Sequence, residues 1–193
     1  MVSRLETRIG QLYPSLEGHI LRQGLRCFER MQGQGPHGLL RAGQLCERLY
    51  FIEKGLVKCH WDTPDGKERV FWIEVEGAFF TDPNGFIGQQ PARYHLTLTE
   101  PYELYYISRQ ALDQLYQTHH AWAIWGTRFL ASEYLKLLLL YELIFHHDAT
   151  QKYEQVLQWM PELLERASLG DIASMLGISQ VSLSRIRAGT QLK

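Results

Sequence analysis

The chain has 193 residues and a formal net charge of −1, and 45% of its residues are hydrophobic. That apolar content can build a real core and excludes a disordered chain. The near-zero charge excludes indiscriminate nucleic-acid binding, which needs a broadly basic surface, but leaves room for a local basic patch.

The N-terminal MVSRLETRIGQLY lacks the apolar stretch of a secretory signal. Residues 1–36 read as helical, through LETRIGQLY and HILRQGLRCFERM, until QGQGPHG interrupts with glycine and proline. From Gly38 to Ile107 the pattern turns strand-like. LYFIEKG is a short apolar run ending at a turn. VKCHW alternates, which predicts Val57, Cys59 and Trp61 on one face and Lys58 and His60 on the other. TPDG then marks a hairpin, because Asp and Gly tolerate positive φ. KERVFWIEV is the return strand, GAFF opens the next segment, DPNG turns it, and YHLTLTEPYELYYI supplies further strands. Short strands between Gly-rich turns predict a β-barrel, roll or sandwich.

Helical patterning resumes at Ser108, a good N-cap for SRQALDQLY. Residues 121–147 predict one helix, ~40 Å long at 1.5 Å per residue. Leu130, Tyr134, Leu137, Tyr141 and Ile144 follow the 4-3 spacing of a coiled-coil seam, while Leu135, Leu138, Leu139 and Phe145 lie off it. One stripe is expected on the β domain and the other on a second subunit; a fully buried helix in a monomer is the alternative. Lys136 and Glu142 interrupt the run, so it is not expected to span a membrane. His146 and His147 suit the helix's C-terminal dipole. Pro161 then stops the helix in KYEQVLQWMPELLERA, and Ser168 caps the next.

LGDIASMLGISQVSLSRIRA, residues 169–188, reads as two short helices around a glycine turn. Ile172, Leu176, Ile178, Leu183 and Ile186 are expected inward, with Ala173 as the small crossing residue, Gly177 as the turn and Ser179 as the second cap. That leaves Gln180, Ser182, Ser184, Arg185 and Arg187 facing outward. These are the residue types of a recognition helix. Gln can pair with adenine and Arg with guanine in the major groove, and Ser and the helix N-terminus can take phosphate. The reading assigns base contacts to Gln180 and Arg185, and phosphate contacts to Ser179, Ser182, Ser184 and Arg187.

With LYFIEKGLVK, the DG hairpin and IASMLGISQVSLSRIR in this order, the chain resembles the family of the cyclic-AMP receptor protein and the fumarate-nitrate regulator. The resemblance implies an α+β chain with a double-stranded jelly roll of the cyclic-nucleotide-binding type. The sensor domain with its N-terminal helices spans 1–120, a dimerisation helix 121–147, and a helix-turn-helix domain 148–193. It further implies a cytoplasmic, homodimeric transcription regulator on two-fold symmetric double-stranded DNA, with a small-molecule effector and no membrane partner. Members that bind cyclic nucleotide carry Gly-Glu and Arg-Ser pairs. Here the first pair reads Gly77-Ala78, and Ala92 stands where the arginine belongs, beside Arg93. The expectation is therefore no ordinary cyclic-nucleotide binding, with Arg93 as the candidate ligand for an anionic effector. Only GTQLK follows Ala188, so the expectation is either fewer phosphate contacts or a very short tail.

No cofactor is expected. The three cysteines, Cys27, Cys46 and Cys59, are isolated and read as reduced thiols. They fall short of an iron–sulfur set of four, and the adjacent pairs His119-His120 and His146-His147 diverge on a helix. No GxSxG, P-loop or HExxH is present, so the chain is not read as an enzyme. Glu74 and Glu76 read as solvated strand charges, and Trp61, Phe71, Trp72 and Phe79 as core rather than pocket. The competing reading is a ligand-binding β-roll whose C-terminal hairpin is structural; the acidic Glu162, Glu165 and Asp171 near the motif favour it.

Overall fold

The computed structural model describes residues 3–190, without the side chain of Thr190; residues 191–193 of the tail lie outside the described residues. Two compact units emerge: Met1–Lys58 with Glu74–Glu133, and Cys59–Ile73 with Tyr134–Lys193.

In the first unit, α1 (Arg4–Leu12) buries Leu5 and Ile9, one turn apart. Ser3 caps it by accepting from the Glu6 N–H at 3.1 Å, and the Glu53 carboxylate accepts from the N–H groups of Arg4 and Leu5 at 3.1 and 3.3 Å. A carboxylate on the orphan donors of a helix N-terminus is favourable in both hydrogen bonding and dipole. Helix α2 (Gly18–Leu25) is shorter than expected. The helical reading of CFERM is wrong: Glu29–Gly33 is strand β1, paired antiparallel with the later strand Tyr102–Ser108. All five residues are in register with β8, and cross-strand pairs reinforce the ladder. Tyr106 donates its hydroxyl to Glu29 at 2.6 Å, and Arg30 donates to Glu103 at 2.7 Å.

The remaining strands are β2 (His37–Leu40), β3 (Arg48–Lys54), β4 (Val57–Asp62), β5 (Glu68–Glu74), β6 (Phe79–Phe80), β7 (His95–Leu98) and β8 (Tyr102–Ser108). They form two four-stranded sheets, ordered β1-β8-β3-β6 and β2-β7-β4-β5, in an antiparallel sandwich. TPDG is the β4–β5 turn, with Gly66 at φ +75°. DPNG turns the chain as the one-turn helix α3 (Pro83–Phe86), because Asp82 caps it and Pro83 pre-sets its first φ. The alternation read in VKCHW is also corrected. His60 is buried and Trp61 is exposed, since His60 Nδ1 lies 3.1 Å from the Glu68 carboxylate on the neighbouring strand. Phe79 is core as expected; Trp61 and Phe71 instead pair on the surface, ring centroids 6.4 Å apart. Glu76 is no free surface charge: it accepts the N–H of Gly55, which turns between β3 and β4 at φ +116°.

Helix α4 (Arg109–Thr118) starts at Ser108, whose hydroxyl accepts from the Ala111 N–H at 3.1 Å. Helix α5 (His120–His146) is continuous over 27 residues. Its first half buries Trp122, Trp125 and Phe129 in the first unit's core beside Phe51 and Phe79. Close approach there requires Gly24, where a Cβ would sit 1.9 Å from the Trp122 ring. The Trp122 indole donates to the Ile20 carbonyl at 3.2 Å.

In the second unit α6 (Ala149–Trp159) opens with a capping box between Asp148 and Gln151. Then come α7 (Leu163–Arg166), α8 (Leu169–Met175) and α9 (Gln180–Thr190), with α9 packed on both α6 and α8. The buried residues along these helices are Tyr153, Val156, Leu163, Ile172, Ala173, Met175, Leu176 and Leu183.

Candidate nucleic-acid interface

Helices α8 and α9 meet as the residue pattern predicts. Ser168 caps α8 by accepting from the Asp171 N–H at 3.0 Å. Gly177 takes φ +68° in the connection, and the Ile178 N–H returns to the Ala173 carbonyl at 3.0 Å. That left-handed turn is open to glycine without steric cost. Ile172, Ala173, Leu176 and Leu183 are buried, while Ile178 and Ile186 are half-buried.

The predicted outward residues separate into two groups. Gln180, Ser184 and Arg185 are exposed. Ser179 is exposed too, but its hydroxyl caps α9 by accepting from the Ser182 N–H at 3.0 Å and lies 2.8 Å from the Ser182 hydroxyl. Ser182 and Arg187 are half-buried. The exposed face thus offers an amide, a hydroxyl and a guanidinium, the donors and acceptors that suit base edges.

One positioning residue was invisible in the sequence. Ser174 on α8 accepts the Val70 N–H of β5 at 2.9 Å, within the second unit. Strand β5 is the edge of its sheet, and an unpaired edge N–H needs a partner when buried. Nearby, the Lys136 ammonium lies 5.8 Å from the Trp72 ring centroid. A Ser174→Ala variant is expected to lose roughly 1–3 kcal/mol of stability, because it strands the Val70 N–H. Chemical denaturation checks this, and an unchanged midpoint would remove Ser174 from the argument.

The seam residues of α5 are exposed: Leu130, Tyr134, Leu137 and Tyr141 by more than half, Ile144 somewhat less. The off-seam Leu135, Leu138, Leu139 and Phe145, one of whose stripes was expected inside, are exposed as well; the buried positions of this half are Leu140 and Leu143. His147 answers the dipole expectation, with Nδ1 3.2 Å from the Glu142 carbonyl oxygen near the helix end.

In the first unit, Gly77 and Ala78 form the turn before β6, where Gly77 donates to the Ile52 carbonyl. Ala92 is buried and held by backbone bonds with Gly43 and Gln44, and Arg93 stands exposed. The carboxylate missed by sequence reasoning is Asp82. It is 2% exposed; Oδ1 accepts the Gly85 N–H at 2.7 Å, while Oδ2 has no hydrogen-bond partner among the described residues. Chemically, that oxygen can accept a hydroxyl or amine proton. The signal was present in DPNG, where Asp before Pro marks a helix cap. Among the described residues no group of three or more His, Cys, Asp and Glu could hold a metal ion, and no helix is long and apolar enough to cross a membrane.

Residues 37–119 match the cyclic nucleotide-binding domain family model. No curated protein matches the chain in sequence. Among solved structures it is similar to the c-di-GMP-responsive global regulator CLP of Xanthomonas campestris, with 21% identity, TM-score 0.65, and 91% of this chain and 92% of that one covered. It is similar also to a protein from Eubacterium rectale assigned to the Crp/Fnr family of transcriptional regulators, with 13% identity, TM-score 0.67 and coverages of 94% and 86%. The catabolite activator protein of Thermus thermophilus gives 19% identity, TM-score 0.55 and coverages of 92% and 85%. The resemblance stated from the sequence is borne out in the fold: a β-sandwich of the cyclic nucleotide-binding type, with helices after it.

Proposed function

We propose that the chain is a cytoplasmic, homodimeric transcription regulator that reads double-stranded DNA with α9. The carrying observation is that α9 buries Leu183 completely while exposing Gln180, Ser184 and Arg185 at the end capped by Ser179. What favours DNA over a merely solvated face is the residue types, since Gln and Arg are the side chains that pair bidentately with adenine and guanine in the major groove. The exposed apolar residues of α5 support the dimer. Residues 179–188 of two copies would enter successive major grooves, with half-sites about 34 Å apart. Gln180 and Arg185 read bases. Ser184 positions on phosphate, with Ser179, Ser182 and Arg187 beside it. Arg93 takes an anionic effector, and effector binding shifts the population between placements of the two α9 helices. The role is regulatory rather than catalytic.

Selection of sites from random DNA with the purified protein, at two salt concentrations, tests the reading. Enrichment of a two-fold symmetric site supports it; absence of enrichment at low salt supports a ligand-binding β-roll with a structural hairpin. On the selected operator, Arg185→Ala is expected to lose roughly 1–3 kcal/mol of affinity with an unchanged circular dichroism spectrum. Unaltered affinity would withdraw the base-reading role of Arg185.

A further inference from the structure

Val181 is 61% exposed, and among the described residues C-terminal to Trp159 it is the one large apolar side chain that is exposed. Its place on the helix is specific. Val181 precedes the fully buried Leu183 by two residues and Arg185 follows it by two. At ~100° per residue, each is ~200° of turn away, so both stand on the side opposite the buried face. Ala188, also exposed, continues the same ridge one turn beyond Arg185. The crest of α9 is therefore Val181–Arg185–Ala188: apolar, then cationic, then small. Gln180 and Ser184 flank it.

A valine side chain has no donor or acceptor, so it can read neither a phosphate nor a hydrogen-bonding base edge. The apolar group that a DNA major groove presents is the C5-methyl of thymine. We infer that Val181 is a specificity residue that packs on a thymine methyl, one base step from the pair read by Arg185. Alanine at 188 lets the helix backbone lie close enough for both contacts. This inference rests on the DNA-reading role proposed above and adds a base identity to it.

The test uses the full chain and the operator obtained by selection. Each thymidine in a half-site is replaced singly by deoxyuridine, which keeps the pairing and removes only the methyl. One position per half-site is expected to lose about fourfold in affinity, the value of one buried methyl group. Val181→Ala is expected to bind the thymidine and deoxyuridine operators equally. Because 5-methylcytosine carries the same methyl, a C·G pair placed at that position should regain affinity on C5 methylation with the wild type and not with Val181→Ala. An operator that binds tightly but shows no methyl-sensitive position, or the same sensitivity in Val181→Ala, overturns the inference and leaves DNA reading intact. Failure to select any operator overturns both.

Discussion

Replacing Trp125 by alanine is expected to cost about 3–5 kcal/mol of stability, the usual range for emptying a large aromatic from a packed core. Trp125 is fully buried. Its ring stacks on Phe129 at 5.4 Å and meets Trp122 and Phe79 edge-on at 5.3 and 5.6 Å. Those pairs add to the area it hides from water. The helix, the strand residue Phe79 and the second tryptophan all lose a partner at once. Trp125→Phe should behave differently. The indole Nε1 has no hydrogen-bond partner among the described residues, so phenylalanine removes an unpaired buried N–H while leaving a smaller void. Its loss should be well below that of the alanine variant. Urea titration followed by circular dichroism reads both. Both variants remove the indole N–H, so equal losses would show that refilling the site with a phenyl ring restores no packing.

Trp122 makes the opposite case within the same core. Its indole is satisfied by the Ile20 carbonyl, and Gly24 gives it room. Neither fact is written in a periodic pattern. Both depend on a residue about a hundred positions away. The same division runs through the whole chain. Local devices were legible: the TPDG hairpin, the Ser108 and Ser168 caps, the glycine at 177 and the buried set Ile172, Ala173, Leu176 and Leu183. Each follows from φ preference, orphan donors or helical period within a few residues. What was misread depends on distant partners. CFERM looked helical until β8 supplied a ladder for Glu29–Gly33. His60 looked outward until Glu68 met it across the hairpin. Glu76 looked solvated, yet Gly55 needs its oxygen. Ser174 had no sequence signature, because its partner is a backbone N–H at Val70. At the candidate site, Gln180, Ser184 and Arg185 are exposed as their period implied. Ser182 and Arg187 are only half-exposed, since their angular positions border the buried face. Asp82 was overlooked because DPNG was read for its turn and not for its cap.

Leu137→Glu is expected to convert the protein to a monomer and to weaken operator binding by about 10²–10⁴-fold, the advantage conferred by joining two binding events. Tyr134, Leu137 and Tyr141 stand on one stripe of α5, 61%, 55% and 55% exposed. Large apolar patches of this kind rarely face water on a monomer. The 4-3 spacing that places them fits the seam of an identical helix, and two-fold pairing sets the same residues against each other. A glutamate in mid-stripe would bring two buried carboxylates together across the axis, a cost that neither chain can escape by a rotamer change. In the isolated chain the same glutamate is solvent-exposed and should leave folding nearly intact, so circular dichroism and thermal unfolding at low concentration serve as controls. Sedimentation should show a halved mass. Binding to a single half-site should match the wild type, because α9 is untouched. If Leu137→Glu remains dimeric and keeps its operator affinity, the exposed stripe of α5 is not the dimer seam.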